Sequence, residues 1–136
     1  MKKLLSAAYS DNAFNFALLV QRVVTGLMLL IAHGLSKLTN FSSMSGNFYD
    51  PFHIGHQSSV LLSIFAEVFC SMLLVLGLFT RLAAFVIVLN LSVAVFMFHR
   101  GQPLHNMDLG IIYLTSVFTI MIIGPGRVSV DGMMGK

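Results

Sequence analysis

Two apolar runs of membrane length in this chain are each interrupted by a single charge. Arg22 lies within residues 14–32 and Glu67 within residues 60–79. An ionisable side chain at the centre of a bilayer costs about 2.5–3.5 kcal/mol on translocon scales, so a stable fold encloses and partners it. The two depths can be compared. With a first helix starting near Asn12 and a second ending near Gly77, each charge lies roughly 15 Å from the same face at ~1.5 Å per residue. Opposite charges at one depth on consecutive antiparallel helices predict an Arg22–Glu67 ion pair.

Composition removes the soluble alternatives. Only 10% of the 136 residues are charged and 57% are hydrophobic, against about 25% charged in ordinary soluble domains. Mean hydropathy is +0.87. The length fits one domain over residues 1–136, with four spans and their connections filling it. The net charge of +3 is scattered, with no Lys/Arg block, which excludes nucleic acid as a natural partner and leaves the lipid bilayer, a protein partner or further copies of the chain. Cys70 is the single cysteine. It can form neither an internal disulfide nor a dithiol pair, so it reads as a small packing residue, and redox work requires a bound cofactor. Lys2 and Lys3 imitate the start of a signal peptide. The apolar run, however, begins only after Asp11 and Asn12 and runs into His33, Gly34 and Leu35 with no small-x-small cleavage site. The expectation is a retained first span.

Hydropathy gives four segments, about 12–32, 58–79, 82–98 and 107–123. Backbone groups at membrane depth must be satisfied within the chain, so the fold class is all-α. The expected architecture is an integral membrane four-helix bundle, up-down-up-down. Residues 77–81 form a tight link that makes the second and third helices antiparallel neighbours. The first connection, 33–57, reads as a long polar loop holding Lys37, Asp50, His53 and His56, with Tyr49-Asp50-Pro51 as a turn. Lys2, Lys3, Arg81, Arg127 and Lys136 fall on one side, Lys37 and Arg100 on the other. The positive-inside rule then puts both termini in the cytoplasm.

Helical spacing assigns faces. Arg22, Gly26, Leu29, His33 and Lys37 share one line on the first helix, and Ser63, Glu67, Cys70 and Ser71 one face of the second. Asn90 sits mid-way along the third, and Asp108, Thr115 and Thr119 form a stripe on the fourth. The expected interior site is Arg22, Glu67 and Asn90, either an ion pair fixing helix register or a place for a quinone head group or a proton. An outer polar cluster is expected from His33, Lys37, His99, Arg100, His105 and Asp108, with Asp108 opening the fourth helix and able to pair with Lys37 or Arg100. His53 and His56 have no third ligand at diagnostic spacing, so no metal is expected. Bis-histidine haem ligation by His33 and His99 is disfavoured, because His99 lies about half a turn from Asn90 around its helix. No phosphate loop, nucleophile elbow or HExxH occurs. The tail GPGRVSVDG holds a turn of Gly124, Pro125 and Gly126, followed by Arg127 and Asp131 spaced to pair with each other.

Three stretches, RVVTGLMLLIAHGLSK (22–37), AEVFCSMLLVLGLFTRLAA (66–84) and GPGRVSVDG (124–132), resemble in order the signatures of the DoxX family of small bacterial membrane proteins. Arg22, Gly34, Lys37, Glu67, Gly77, Arg81, Gly124, Gly126, Arg127 and Asp131 match its recurring pattern. The resemblance implies a multi-pass protein of the bacterial cytoplasmic membrane. It further implies an accessory membrane subunit of an electron-transfer or oxidative-stress redox complex, without catalytic activity alone. A quinone- or haem-binding oxidoreductase subunit in its own right, and a small transporter of polar solutes or protons, remain the alternatives. Catalytic residues and cofactor stay unassigned at this level. Cysteines placed at His53 and Arg81 are expected to react with impermeant maleimide from opposite sides of the membrane; labelling from the same side contradicts the four-span topology.

Overall fold

A computed structural model describes residues 3–135. Lys2 and Lys136, both counted in the orientation argument, lie outside the described residues. Four helices carry the fold: α1 (Asp11–Thr39), α2 (His56–Leu76), α3 (Thr80–Phe98) and α4 (Asp108–Ile123). No strand occurs among the described residues. The first three are long and apolar enough to cross a membrane; α4 is a shorter apolar helix. Large side chains such as Phe16, Leu82, Phe96 and Ile112 stand more than half exposed around the outside, a surface suited to lipid rather than water.

Helix α1 outruns its expected end. It starts on Ser10, whose hydroxyl accepts from the Ala13 N–H, and continues to Thr39. The first seven residues of the expected 33–57 loop are therefore helical, followed by a further helical turn at Phe41–Met44. The extension was hidden because His33, Ser36 and Lys37 look like loop composition; in the helix His33 and Lys37 are half-buried and Ser36 is exposed. Residues Leu29–Gly34 within α1 are π-helical, as are Phe65–Cys70 in α2 and Val93–Phe98 in α3. At the ends of two of these segments the Leu35 N–H reaches Leu30 O and the His99 N–H reaches Ala94 O, the i→i−5 pattern that widens a helix.

Close backbone contact sets the register of α1 on α2. A Cβ on Gly34 would lie 2.6 Å from the Glu67 carbonyl oxygen, and one on Gly26 would lie 2.6 Å from the Val75 side chain and 3.1 Å from Ser71 O. The two helices are antiparallel, with Gly34 opposite Glu67 and Arg22 opposite Gly77. Leu29, Leu74, Ile87, Val117 and Ile120 fill the space between the four helices and are almost fully buried.

One end of the bundle is closed by the chain's own tail. Helix α2 stops in a Schellman motif: Leu78 N–H reaches Leu73 O and Gly77 N–H reaches Leu74 O, with Gly77 at φ +73°. The opening N–H groups of α3 are then capped from 51 residues away. Buried Asp131 accepts from Phe79 N–H, Thr80 N–H and the Thr80 hydroxyl at 2.8–3.0 Å. A carboxylate at a helix N-terminus also opposes the positive end of the dipole. Asp131 N–H in turn donates to Gly77 O at 2.8 Å. Arg22 holds the strand of the turn by donating to the carbonyls of Pro125 and, at 2.8 Å, Val128. At the α4 end, Arg81 reaches the Ile122 and Ile123 carbonyls at 3.4 Å.

Gly77 sits at the centre of this closure, where a Cβ would lie 2.4 Å from Ser129 Cβ and 2.9 Å from the Arg22 guanidinium carbon. Gly77→Ala is expected to cost at least about 2 kcal/mol, combining left-handed strain with overlap. Gly46→Ala, where nothing lies within 4 Å, is expected to stay within about 0.5 kcal/mol. Reversible unfolding of both variants in detergent micelles measures the difference.

Candidate functional site

Glu67 is buried and paired, but not with Arg22. Its Oε2 lies 2.5 Å from the Lys37 ammonium, and its Oε1 accepts from the Asn90 side-chain amide at 3.0 Å. The Glu67 side chain is 5% exposed and that of Lys37 19%. The expected Arg22–Glu67 pair is thus corrected. Arg22 stands level with Gly77, and residues 67–77 of α2 separate the two layers by about 15 Å at ~1.5 Å per residue. The error lay in starting both helices at a common face. Helix α1 runs past the end of α2 and is met there by the C-terminal turn, with Asn15 accepting from Arg127 N–H at 2.8 Å. Lys37 and Arg22 are fifteen positions apart, close to four turns, so both face α2.

Above this triad the bundle opens. A cavity of about 940 Å³ is lined by Leu29, His33 and Lys37 of α1, Ser63 and Glu67 of α2, Asn90 and Val95 of α3 and Tyr113 of α4, with Phe48, Tyr49 and Phe52 closing from the loop. All three π-helical segments contribute lining residues. Such segments re-aim side chains and recur at functional sites. The wall is largely apolar, with the bonded polar group of Lys37, Glu67 and Asn90 on one side and Ser43, Asn47, Ser59, His99 and Asn106 toward the loop, the mixed composition of a small-molecule site.

The loop over the cavity is a built structure. Asp50 accepts from Ile54 N–H, Gly55 N–H and the Ser59 hydroxyl at 2.8–3.0 Å. His56 Nδ1 contacts Phe48 O, and the Tyr49 ring sits edge-on to Phe98 of α3 at 5.3 Å. Partial desolvation opposes ionisation of Asp50, but the Gly55, Ser59 and Ile54 donors, with His56 nearby, outweigh it and hold the carboxyl below its usual range. The loop's contribution from Asp50 is therefore present above the ordinary carboxylate pKa and fades only as pH falls through the lowered one. Phe48, Tyr49, Ser63 and Tyr113 were not anticipated as site residues. Their only sequence signal was the Tyr49-Asp50-Pro51 turn and the position of Ser63 on the Glu67 face.

The expected outer polar cluster does not gather as a unit. His33, Lys37 and His99 all line the cavity, but His33 packs edge-on to Tyr113 at 5.4 Å, and His99 bonds Gln102 at 3.0 Å and meets Phe98 edge-on. Lys37 is turned inward to Glu67, so Asp108 does not pair with it; the Asp108 carboxylate accepts from Leu109 N–H instead. Arg100 and His105 are exposed. Thr115 and Thr119 bond back to carbonyls of their own helix, whereas Ser116 bonds Thr25 and Gln21 of α1 and buried Tyr113 lines the cavity. In the tail, Arg127 pairs with exposed Asp11 at 3.7 Å rather than with Asp131, which is committed to α3.

Chemically, the floor of the cavity offers hydrogen-bond donors beside a carboxylate. Lys37 uses one of its three N–H bonds on Glu67 and Asn90 one of its two amide protons. The remaining donors suit a carbonyl or other acceptor.

Comparison with known proteins finds one family match. The DoxX family model matches residues 17–100, which include Arg22, Lys37, Glu67, Gly77 and Asn90. No curated protein and no solved structure matched the chain.

Removing one member of a buried pair strands the other. Lys37→Met or Glu67→Leu alone is expected to destabilise by about 3 kcal/mol. The double variant should lose clearly less than the two losses combined. A double-mutant cycle of unfolding in detergent measures this coupling; additive losses would show that the pair is not energetically linked.

Proposed function

The chain belongs to the DoxX family, and from that membership and the geometry of its cavity we propose that it is a quinone-binding accessory subunit of a membrane redox complex. The observation that carries the reading is the Lys37–Glu67–Asn90 triad at the floor of a large apolar cavity, where α1, α2 and α3 all become π-helical. A quinone ring has two carbonyl acceptors on a flat apolar body. Lys37 and Asn90 can donate to one carbonyl, the edge-packed Tyr113 and His33 rings form part of the wall beside the body, and Glu67 is placed to relay one of the two protons that quinol formation takes up or quinol oxidation releases. The cavity volume lies at the upper end of the usual ~300–1,000 Å³ for ligand sites, so a substituted ring fits.

The electrons come from elsewhere in this reading. A lone buried Cys70 cannot cycle between dithiol and disulfide, so a partner subunit supplies the reduced substrate and its chemistry. The membrane topology belongs to the same proposal: both termini in the cytoplasm of a bacterial inner membrane, the cavity facing outward. Exposed Arg81 and Arg127 at the tail end, against Arg100 at the other, support it. A transporter reading has less support. Below the triad a path would have to cross Leu29, Leu74, Ile87, Val117 and Ile120 and then the Arg22 closure.

The test uses protein in nanodiscs and a tail-less quinone, 2,3-dimethoxy-5-methyl-benzoquinone, titrated against each variant. Glu67→Gln and Asn90→Leu are each expected to weaken binding tenfold or more while the unfolding transition stays cooperative. Affinities equal to wild type in both variants would remove the triad from the site.

A further inference from the structure

The cavity does not open only toward water. Its lining includes Leu62 and Phe65 of α2 and Leu89 of α3, and these same side chains are 58%, 47% and 52% exposed. A residue that both lines a cavity and faces outward lies on the rim of an opening. Depth along the helices places this rim. Phe65 is nine residues below the start of α2 and Leu89 nine below the end of α3, about 13 Å inside the outer helix ends at ~1.5 Å per residue. That is well within a hydrocarbon core of about 30 Å. The opening therefore faces acyl chains, at the level of Glu67 and Asn90.

The packing of the helices explains the gap. Near Gly77 the tight link holds α2 and α3 together, and they stay in contact through the Glu67–Asn90 bond. Beyond it the outer part of α2 (His56–Ile64) packs on the end of α1 and on Phe41–Met44, whereas the outer part of α3 packs on α4. The two helices lean on different neighbours. On the aqueous side the loop spans the opening, with Tyr49 on Phe98 and Asp50 tying the loop to Ser59.

We propose that the gap between α2 and α3, rimmed by Leu62, Phe65 and Leu89, is the route by which the ligand arrives from the bilayer and the seat of an apolar tail attached to its head group. The inference rests on the quinone reading above and specifies it: the substrate is a lipid-resident quinone with a hydrocarbon tail, not a water-soluble one. The occupant follows from continuity with the cavity, whose polar floor takes a head group while its side opening offers only apolar rim residues at hydrocarbon depth. Nothing in the rim would recognise a polar solute.

The chain contains no tryptophan, so one introduced at the rim narrows the gap and reports on it. Nanodisc-embedded wild type, Leu89→Trp and Leu62→Trp are titrated with 2,3-dimethoxy-5-methyl-benzoquinone and with its decyl-tailed counterpart. Affinities are referred to the quinone concentration in the membrane, measured in empty nanodiscs. Both substitutions fall at exposed positions, and Phe118→Trp on exposed α4 surface is the control for collisional quenching. The expected result is at least a tenfold preference of wild type for the tailed quinone, collapsing toward unity in both rim variants and retained in Phe118→Trp. Equal affinity for the two quinones in wild type, or an unchanged preference in both rim variants, overturns the lateral route and leaves head-group binding standing. Failure of either quinone to bind wild type saturably overturns the quinone reading and the route with it.

Discussion

Where the backbones of α1 and α2 meet decides which charges in this protein find each other. Gly34 lies against the Glu67 carbonyl so closely that a methyl group would overlap it, and no larger residue could hold the helices at that separation. The contact fixes one register. In it the cation opposite Glu67 is Lys37, and Arg22 falls at the level of Gly77. Slide one helix by three turns and the carboxylate would face the arginine instead. At bilayer depth the difference matters because either charge without its partner is several kcal/mol out of place. Small residues permit this approach in lipid, where apolar side chains gain nothing by leaving the tails for each other.

The sequence made the helices and their inward faces legible because both follow from local rules. Apolar runs of membrane length can only be helical, and the stripes through Leu29, His33 and Lys37 and through Ser63, Glu67 and Cys70 emerge from the 3.6-residue repeat. Asn90 was legible for the same reason, as a polar residue centred in an apolar helix, and it does reach Glu67. The partner of Glu67 was not. Lys37 falls on the helical line and also within the stretch read as the first loop, beyond the first run of high hydropathy, and its pairing depends on the helix continuing through a π-helical segment that no residue pattern announces. The cavity was invisible for a similar reason. It exists because α2 and α3 lean on different neighbours, a property of packing rather than of either helix.

The tail shows the same division between local and non-local information. Gly124, Pro125 and Gly126 suggest a turn, and the chain bends at Pro125 between two glycines at positive φ. The spacing of Arg127 and Asp131 suggested a pair, yet Asp131 serves as the missing cap of α3 and Arg127 meets Asp11 at the surface. Thr80 opens α3 without a side-chain cap from its own neighbourhood, and that absence was the available signal that a carboxylate must come from elsewhere. Arg22 then makes sense as a structural cation. It holds the carbonyls of the turn, with Asp131 supplying the opposing charge.

These two ends of the bundle have opposite mechanical characters, and each requires the other. A helix pair that splays around a cavity of some 940 Å³ forgoes the packing that would otherwise hold it, and the π-helical segments of the three helices that line the cavity depart from regular geometry there. The closed end compensates. There the chain reversal at Gly77, the Asp131 cap and the Arg22 contacts bind α1, α2, α3 and the tail into one unit. With the helices fixed at that end, the outer halves can stand apart without separating, and Lys37, Glu67 and Asn90 lie at the boundary between the two regions. A polar triad at that boundary is rigidly supported from below and open to a ligand from above, which is the arrangement a binding site inside a small membrane bundle needs.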